Sequence, residues 1–287
     1  MKFSSLLFII LPTLLTGCTS ILPKSTKLDV SHSYAWNVNN ASNMDLFFDK
    51  EVPTELKNKF KESDYYWGLT TDNNPLNLSR MDLTPLIKYS YPVGMALKEW
   101  DFDYMLAWLP QNLTTSEKPA SMVIEQVLNE AIKKTWPDMQ FNKMSEMNGS
   151  PLNTFTLGLA GNKSRISTYF IWDNDIHCQT NRFDNQSKPN ACLLYIKNEG
   201  AAGLVKTPDF ILPGTTEHSY MMDPSYISID ITDNRKLDAI EARNNRALIQ
   251  KLSSNLPSWI YIYLSDDIDN NLPAVMLQSG TSHFYIN

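Results

Sequence analysis

Ile166-Ser-Thr-Tyr-Phe-Ile-Trp172 runs into Asp-Asn-Asp-Ile-His-Cys178, then a polar stretch at 179–191, then Cys192-Leu-Leu-Tyr-Ile196. The two outer runs are rich in aromatic and β-branched residues and have the length of strands. Between them lie Thr180-Asn-Arg182, Asp184-Asn-Gln-Ser187 and Lys188-Pro-Asn190, all turn-forming chemistry. Two strands joined through such a segment predict an antiparallel hairpin with a long loop and a cysteine at each end of that loop.

Outward from this hairpin the patterning divides into helix and strand. Ala120, Val123, Ile124, Val127, Leu128 and Ala131 recur at helical spacing, Pro119 suits a first turn, and Trp136-Pro137 ends the run. Phe155, Leu157 and Leu159 alternate with Thr and Gly, and Gly161-Asn162 predicts a turn into 166–172. Ile227, Ile229 and Ile231 share one face of a strand at 226–231. A second helix is expected from Asp233 as N-cap to Ser254, with Leu237, Ile240, Leu248 and Leu252 inward and Pro257 ending it. Residues 259–264 are apolar on both faces, as a central strand requires, and 274–278 with 283–286 predict a closing hairpin through Gly280. The fold class expected is α+β: a mainly antiparallel sheet with two principal helices.

Upstream, 28–115 shows no sustained period, beyond a possible short helix at 54–61, but carries fourteen aromatic side chains. It is divided as an aromatic-rich irregular region from an α+β domain at 116–287, with one continuous domain at 28–287 as the alternative. Aromatics of this density either pack a core or line a groove, and Asp101-Phe-Asp103-Tyr104 is the most interface-like stretch.

The chain has 287 residues, 43% hydrophobic, with 25 Lys+Arg against 31 Asp+Glu. That length suffices for a sizeable core. The acidic balance argues against a sequence-independent grip on nucleic acid, which needs a cationic surplus.

The N-terminus is more specific. Lys2 precedes an apolar run from Phe3 to Leu15, shorter than the roughly 20 residues a spanning helix needs and suited to a signal-peptide core. It closes in Leu15-Thr16-Gly17-Cys18, which resembles the lipobox of bacterial lipoproteins, with Thr16 where Ala or Ser is commoner. The resemblance implies cleavage after Gly17 (signal peptide 1–17), a diacylglyceryl thioether on Cys18, and a further fatty acyl group such as palmitate on its amine. Two or three acyl chains anchor a protein stably where one does not. Thr19, rather than Asp, implies the outer membrane, most simply its periplasmic leaflet, with surface exposure as the other arrangement. Residues 18–27 then form a tether, and loss of Lys2 leaves a net charge of −7.

Export of this kind places Cys178 and Cys192 in an oxidising compartment, where paired thiols persist as a disulfide. With Cys18 committed to lipid, these two remain, and their bond would staple the long-looped hairpin.

Catalytic signatures are sparse: the chain has no Gly-x-Ser-x-Gly, His-Glu-x-x-His or Cys-x-x-Cys. Asp173, Asp175 and His177 alternate, so on an extended strand they would project together and could meet a cation. Asp267-Ile-Asp269-Asn-Asn271 has the opening of a calcium loop. However, Leu272 and Gln278 replace the glycine and closing glutamate that such a loop needs, leaving an acidic turn as the expectation. No cofactor is expected. The sequence favours a non-enzymatic outer-membrane lipoprotein that binds an envelope protein in the periplasm, as a secretion or conjugation accessory or an immunity-type protein. The alternatives are a lipid-tethered envelope hydrolase built on Asp173, Asp175 and His177, and a surface-displayed ligand-binding lipoprotein.

Overall fold

A computed structural model describes residues 27–42, 44, 49, 54–55, 102–115, 119–147, 164–178, 190–198, 201–214, 218–222, 224–232, 236–267 and 269–286. The expected signal peptide at 1–17, Cys18 and the expected tether up to residue 26 lie outside these residues. So do most of the expected helix at 54–61, the strand at 155–159 and Asp101.

The elements are α1 (Tyr34–Ala41), β1 (Tyr104–Pro110), a 3-10 turn (Gln111–Leu113), α2 (Ala120–Thr135), β2 (Gln140–Met147) and β3 (Ser164–Ile171). There follow β4 (Cys192–Asn198), β5 (Ala201–Lys206), β6 (His218–Met222), β7 (Ser225–Asp230), α3 (Ala239–Ser253), β8 (Ile260–Leu264), β9 (Val275–Gln278) and β10 (Thr281–Phe284). The ten strands form one sheet in the order β10-β9-β8-β1-β7-β4-β3-β2, and a branch continues from β1 to β6 and β5. Every pairing is antiparallel. The fold is therefore the α+β class read from the sequence, with α1 as a third helix among the described residues.

The branch has a simple origin. Leu193 pairs with Asp230 and Lys197 with Tyr226; farther along, Ala201 pairs with Met222 and Lys206 with His218. β4–β5 and β6–β7 are thus the two arms of one long hairpin with a break midway along each arm. Pro224, which has no N–H to give a ladder, sits at the break in the second arm. β1 follows that second arm across the break, pairing with Tyr226 near its start and with Met221 through Ser219 near its end.

Each face of the sheet has its own cover. Met105 and Ala107 of β1, Ile227 and Ile229 of β7, Leu194 of β4 and Ile262 of β8 lie on the face that α2 and α3 pack against. Asn245 of α3 donates to the Ile229 carbonyl, and Gln250 to Ser282. Tyr104 and Trp108 of β1, with Tyr261 and Tyr263 of β8, lie on the other face, under α1. Asn39 of α1 accepts from the Tyr104 hydroxyl and donates to Tyr285, and Trp108 donates to Ser42. Covered on both sides, all five residues of β8 are buried, as the double-faced apolar pattern required. β1 lies between β8 and β7, so α1 and β1 share one hydrophobic core with 120–286.

Local chemistry sets several boundaries. Ala120, Val123, Ile124, Leu128, Ala131 and Ile132 form the buried stripe of α2, and Lys133 and Lys134 sit in its last turn, where cations suit the helix dipole. α3 starts at Ala239, not after Asp233, and Ile240, expected to face inward, is exposed on its first turn. Its N-cap is Asp238, which accepts from the Ile240 and Glu241 N–H groups while Glu241 reaches back to the Asp238 N–H. This reciprocal capping box satisfies more orphan donors than a single cap and explains why the helix begins there. β9 and β10 close through Ser279 and Gly280, both at positive φ (48° and 84°), the two-residue turn whose twist matches the strands.

The stapled hairpin is present: Ile171 pairs with Cys192, Arg165 with Asn198, and Cys178 is disulfide-bonded to Cys192 with Cα atoms 5.0 Å apart. Both cysteines are buried. On its other edge β3 pairs with β2, whose polar sequence carries no strand signature.

Candidate functional site

The alternating acids and histidine do not converge. β3 ends at Ile171, so Asp173, Asp175 and His177 follow a bent path rather than an extended strand. Asp173 turns inward and is buried; Asp175 and His177 are exposed. The Asp173 carboxylate accepts from Lys251 Nζ at 2.7 Å, from the indole N–H of Trp136 at 3.2 Å and from the Asp175 backbone N–H at 3.0 Å. Burial pushes its pKa up, but the hydrogen bonds from Lys251 and Asp175, the Lys251 charge and Trp136 outweigh burial and hold it below the ordinary carboxyl range. The Asp173 carboxylate is thus engaged by Lys251, Trp136 and the Asp175 backbone. Among the described residues no group of three His, Cys, Asp or Glu side chains is arranged to hold a metal ion.

The acidic turn is held largely by its own bonds, while exposed Asp269 pairs with Lys236. Asp267 bridges to Leu272 and accepts from both the backbone and the side chain of Asn270, while Leu272 is fully buried. Nearby, Arg246 of α3 donates to the carbonyls of Pro273 at 2.6 Å and Ser265 at 2.5 Å. Burial lowers its pKa against the opposing charges of Asp103 and Asp267. The interface-like stretch proves structural where it is described: Asp103 accepts from the Ser265 N–H and hydroxyl, Phe102 packs on the core, and Tyr104 is completely buried.

A different part of the surface combines aromatic and charged side chains. A shallow groove with room for about one water lies between α2 and the β3–β4 part of the sheet, lined by Glu125, Leu128, Arg165, Tyr169, Ile196 and Asn198. Helical spacing puts Glu125 beside the buried stripe at Ile124 and Leu128, and strand alternation puts Arg165 and Tyr169 on the face toward α2. Arg165 donates to Glu125 at 3.0 Å, with both side chains about one-third exposed. The Tyr169 hydroxyl donates to Asn129 at 2.5 Å, and burial raises its pKa. Beyond the groove, Phe141 of β2 stands edge-on to Tyr169 with ring centroids 5.4 Å apart and is 54% exposed.

No protein-family model matches the chain, and neither the curated proteins nor the solved structures contain a match.

An exposed aromatic, a second ring behind it and a guanidinium at the groove are the residue types that dominate protein-protein binding energy. Sequence reading missed this set because its members come from α2, β2 and β3. The only local hint is the tyrosine in the apolar β3 run, and nothing in the sequence pairs Glu125 with an arginine forty positions away.

Proposed function

We propose that this chain is a bacterial outer-membrane lipoprotein, held through acylated Cys18, whose domain binds an envelope protein in the periplasm. It serves as an accessory to a secretion or conjugation machine or as an immunity-type protein. The address rests on Leu15-Thr16-Gly17-Cys18 and Thr19, and the buried Cys178–Cys192 bond suits an oxidising compartment. The binding role rests on exposed Phe141 and half-exposed Arg165 beside the α2 groove, with the buried ring of Tyr169 behind Phe141.

The test is cross-linked co-purification from envelopes, using the native chain, Cys18→Ala and the double variant Phe141→Ala/Arg165→Ala. An envelope protein enriched with the native chain and lost with the double variant supports the reading. Cys18→Ala should leave the membrane fraction. Equal recovery with the double variant, or no enrichment at all, sinks the binding role, and identical lipid on the native and Cys18→Ala forms sinks the anchor.

A further inference from the structure

The turn at 29–32 is unusual in what it presents. The His32 N–H donates to the Asp29 carbonyl at 3.2 Å, and the Asp29 carboxylate accepts from the N–H and hydroxyl of Ser31. Asn37, buried in α1, accepts from the Asp29 N–H at 2.7 Å and donates to its carbonyl at 2.9 Å. The His32 ring stacks on Trp36 at 3.8 Å. The turn is thus bolted to α1, which is bolted to the sheet through Asn39. Yet its apex residue is Val30, 88% exposed, with Leu28 beside it 45% exposed. Tight turns favour Asp, Asn, Ser, Gly and Pro, and solvent offers a valine apex no stabilisation.

Position supplies a reason. Nine residues separate Cys18 from Leu28, a reach of about 30 Å when fully extended. That segment carries Lys24, with Lys27 at the edge of the turn, on a chain that is otherwise acidic. Basic residues beside a lipid anchor are attracted to acidic headgroups.

We infer that the turn at 29–32 is a membrane foot: Val30 and Leu28 enter the headgroup region of the bilayer holding the Cys18 acyl chains. This rests on the lipid-anchor reading and adds an orientation to it. α1 and the turn face the lipid, while α3, on the opposite face of the sheet, faces away.

The experiment places a nitroxide on Val30→Cys or, as control, on Ile240→Cys, an exposed site at the start of α3. Each is made in the full-length acylated protein bound to vesicles of phosphatidylethanolamine and phosphatidylglycerol. Mass measurement confirms the lipid on Cys18, and thermal unfolding confirms the fold. The expected result is a severalfold fall in collision with an aqueous nickel chelate at position 30, relative to the Cys18→Ala form in solution, with position 240 unchanged. Equal accessibility at both sites on bound, acylated protein overturns the foot and leaves the anchor standing. Protection of position 30 in native envelopes but not on pure lipid assigns the turn to a protein contact and also overturns the foot. A Cys18 without lipid overturns both.

Discussion

Lys251 Nζ lies 2.7 Å from Asp173 Oδ2, joining the last turn of α3 to the chain that leaves β3 for the disulfide. The same carboxylate oxygen takes the indole N–H of Trp136, the residue that ends α2. One acid therefore ties together the ends of both principal helices and the approach to Cys178. Asn255, just past α3, reinforces the link by donating to Thr135.

Asp173→Ala leaves the buried Trp136 N–H without its acceptor and Lys251 without its nearest anion. The expected loss is about 1–3 kcal/mol, limited by solvent screening at the partly exposed Lys251. Because the folded-state pKa of Asp173 is depressed, its contribution is complete above the unfolded value near 3.9 and is lost as pH falls through the folded value. Urea unfolding at pH 7 and pH 3 should show a native-minus-variant gap that narrows in acid. A constant gap would mean the carboxylate charge contributes nothing.

Removing the staple with Cys178→Ala/Cys192→Ala frees a loop of about 15 residues in the unfolded chain, which is worth about 3 kcal/mol in the chain-entropy model. Thermal unfolding should show a clearly lower midpoint for the double variant. Since both sulfurs are buried, reductant should lower the native midpoint only where the chain opens during heating.

Gly280 has φ +84°, and a Cβ there would stand 2.9 Å from Ser254 Cβ, so Gly280→Ala meets both backbone strain and a collision with the end of α3. A loss of roughly 1–3 kcal/mol is expected. Gly214 has φ +68° with open space around it, so Gly214→Ala should cost only the backbone part, about 1 kcal/mol. Equal midpoints for the two variants in a melting comparison would count against the close approach of turn and helix.

Arg246→Met strips the buried Pro273 carbonyl and the half-buried Ser265 carbonyl of this donor, at about 1–3 kcal/mol for the buried one. Arg246→Lys should recover part of this, because an ammonium keeps the charge but loses the planar fork that reaches both carbonyls. Chemical denaturation should therefore rank native above Lys above Met.

Much of the fold is legible in short windows. The α2 stripe, the Ile227-Ile229-Ile231 alternation, the doubly apolar β8 and the turn at Gly280 each depend on neighbours a few positions away and lie where the patterning puts them, although β10 begins at Thr281, two residues before the expected strand at 283–286. β2 escaped notice because Gln140–Met147 has no alternation; its pairing is decided by the exposed edge of β3. The start of α3 was placed too early because Asp233 and Asp238 are both competent caps, and only the reciprocal reach of Glu241 separates them. The candidate site was the least legible part. Asp173 was singled out for its spacing, but a lysine 78 positions away determines what it does.

Sequence alone determined the period of each strand and helix, the turn chemistry, the cysteine arithmetic and the lipobox-like N-terminus, because these are properties of adjacent residues and their backbone preferences. Tertiary structure alone decided that β1 runs through the middle of the sheet, that Asp173 pairs with Lys251 and Trp136, and that Glu125, Arg165 and Phe141 gather around the buried ring of Tyr169. Those outcomes depend on which elements pack together. Burial free energy is non-directional and belongs to the assembled core, so no local window contains it.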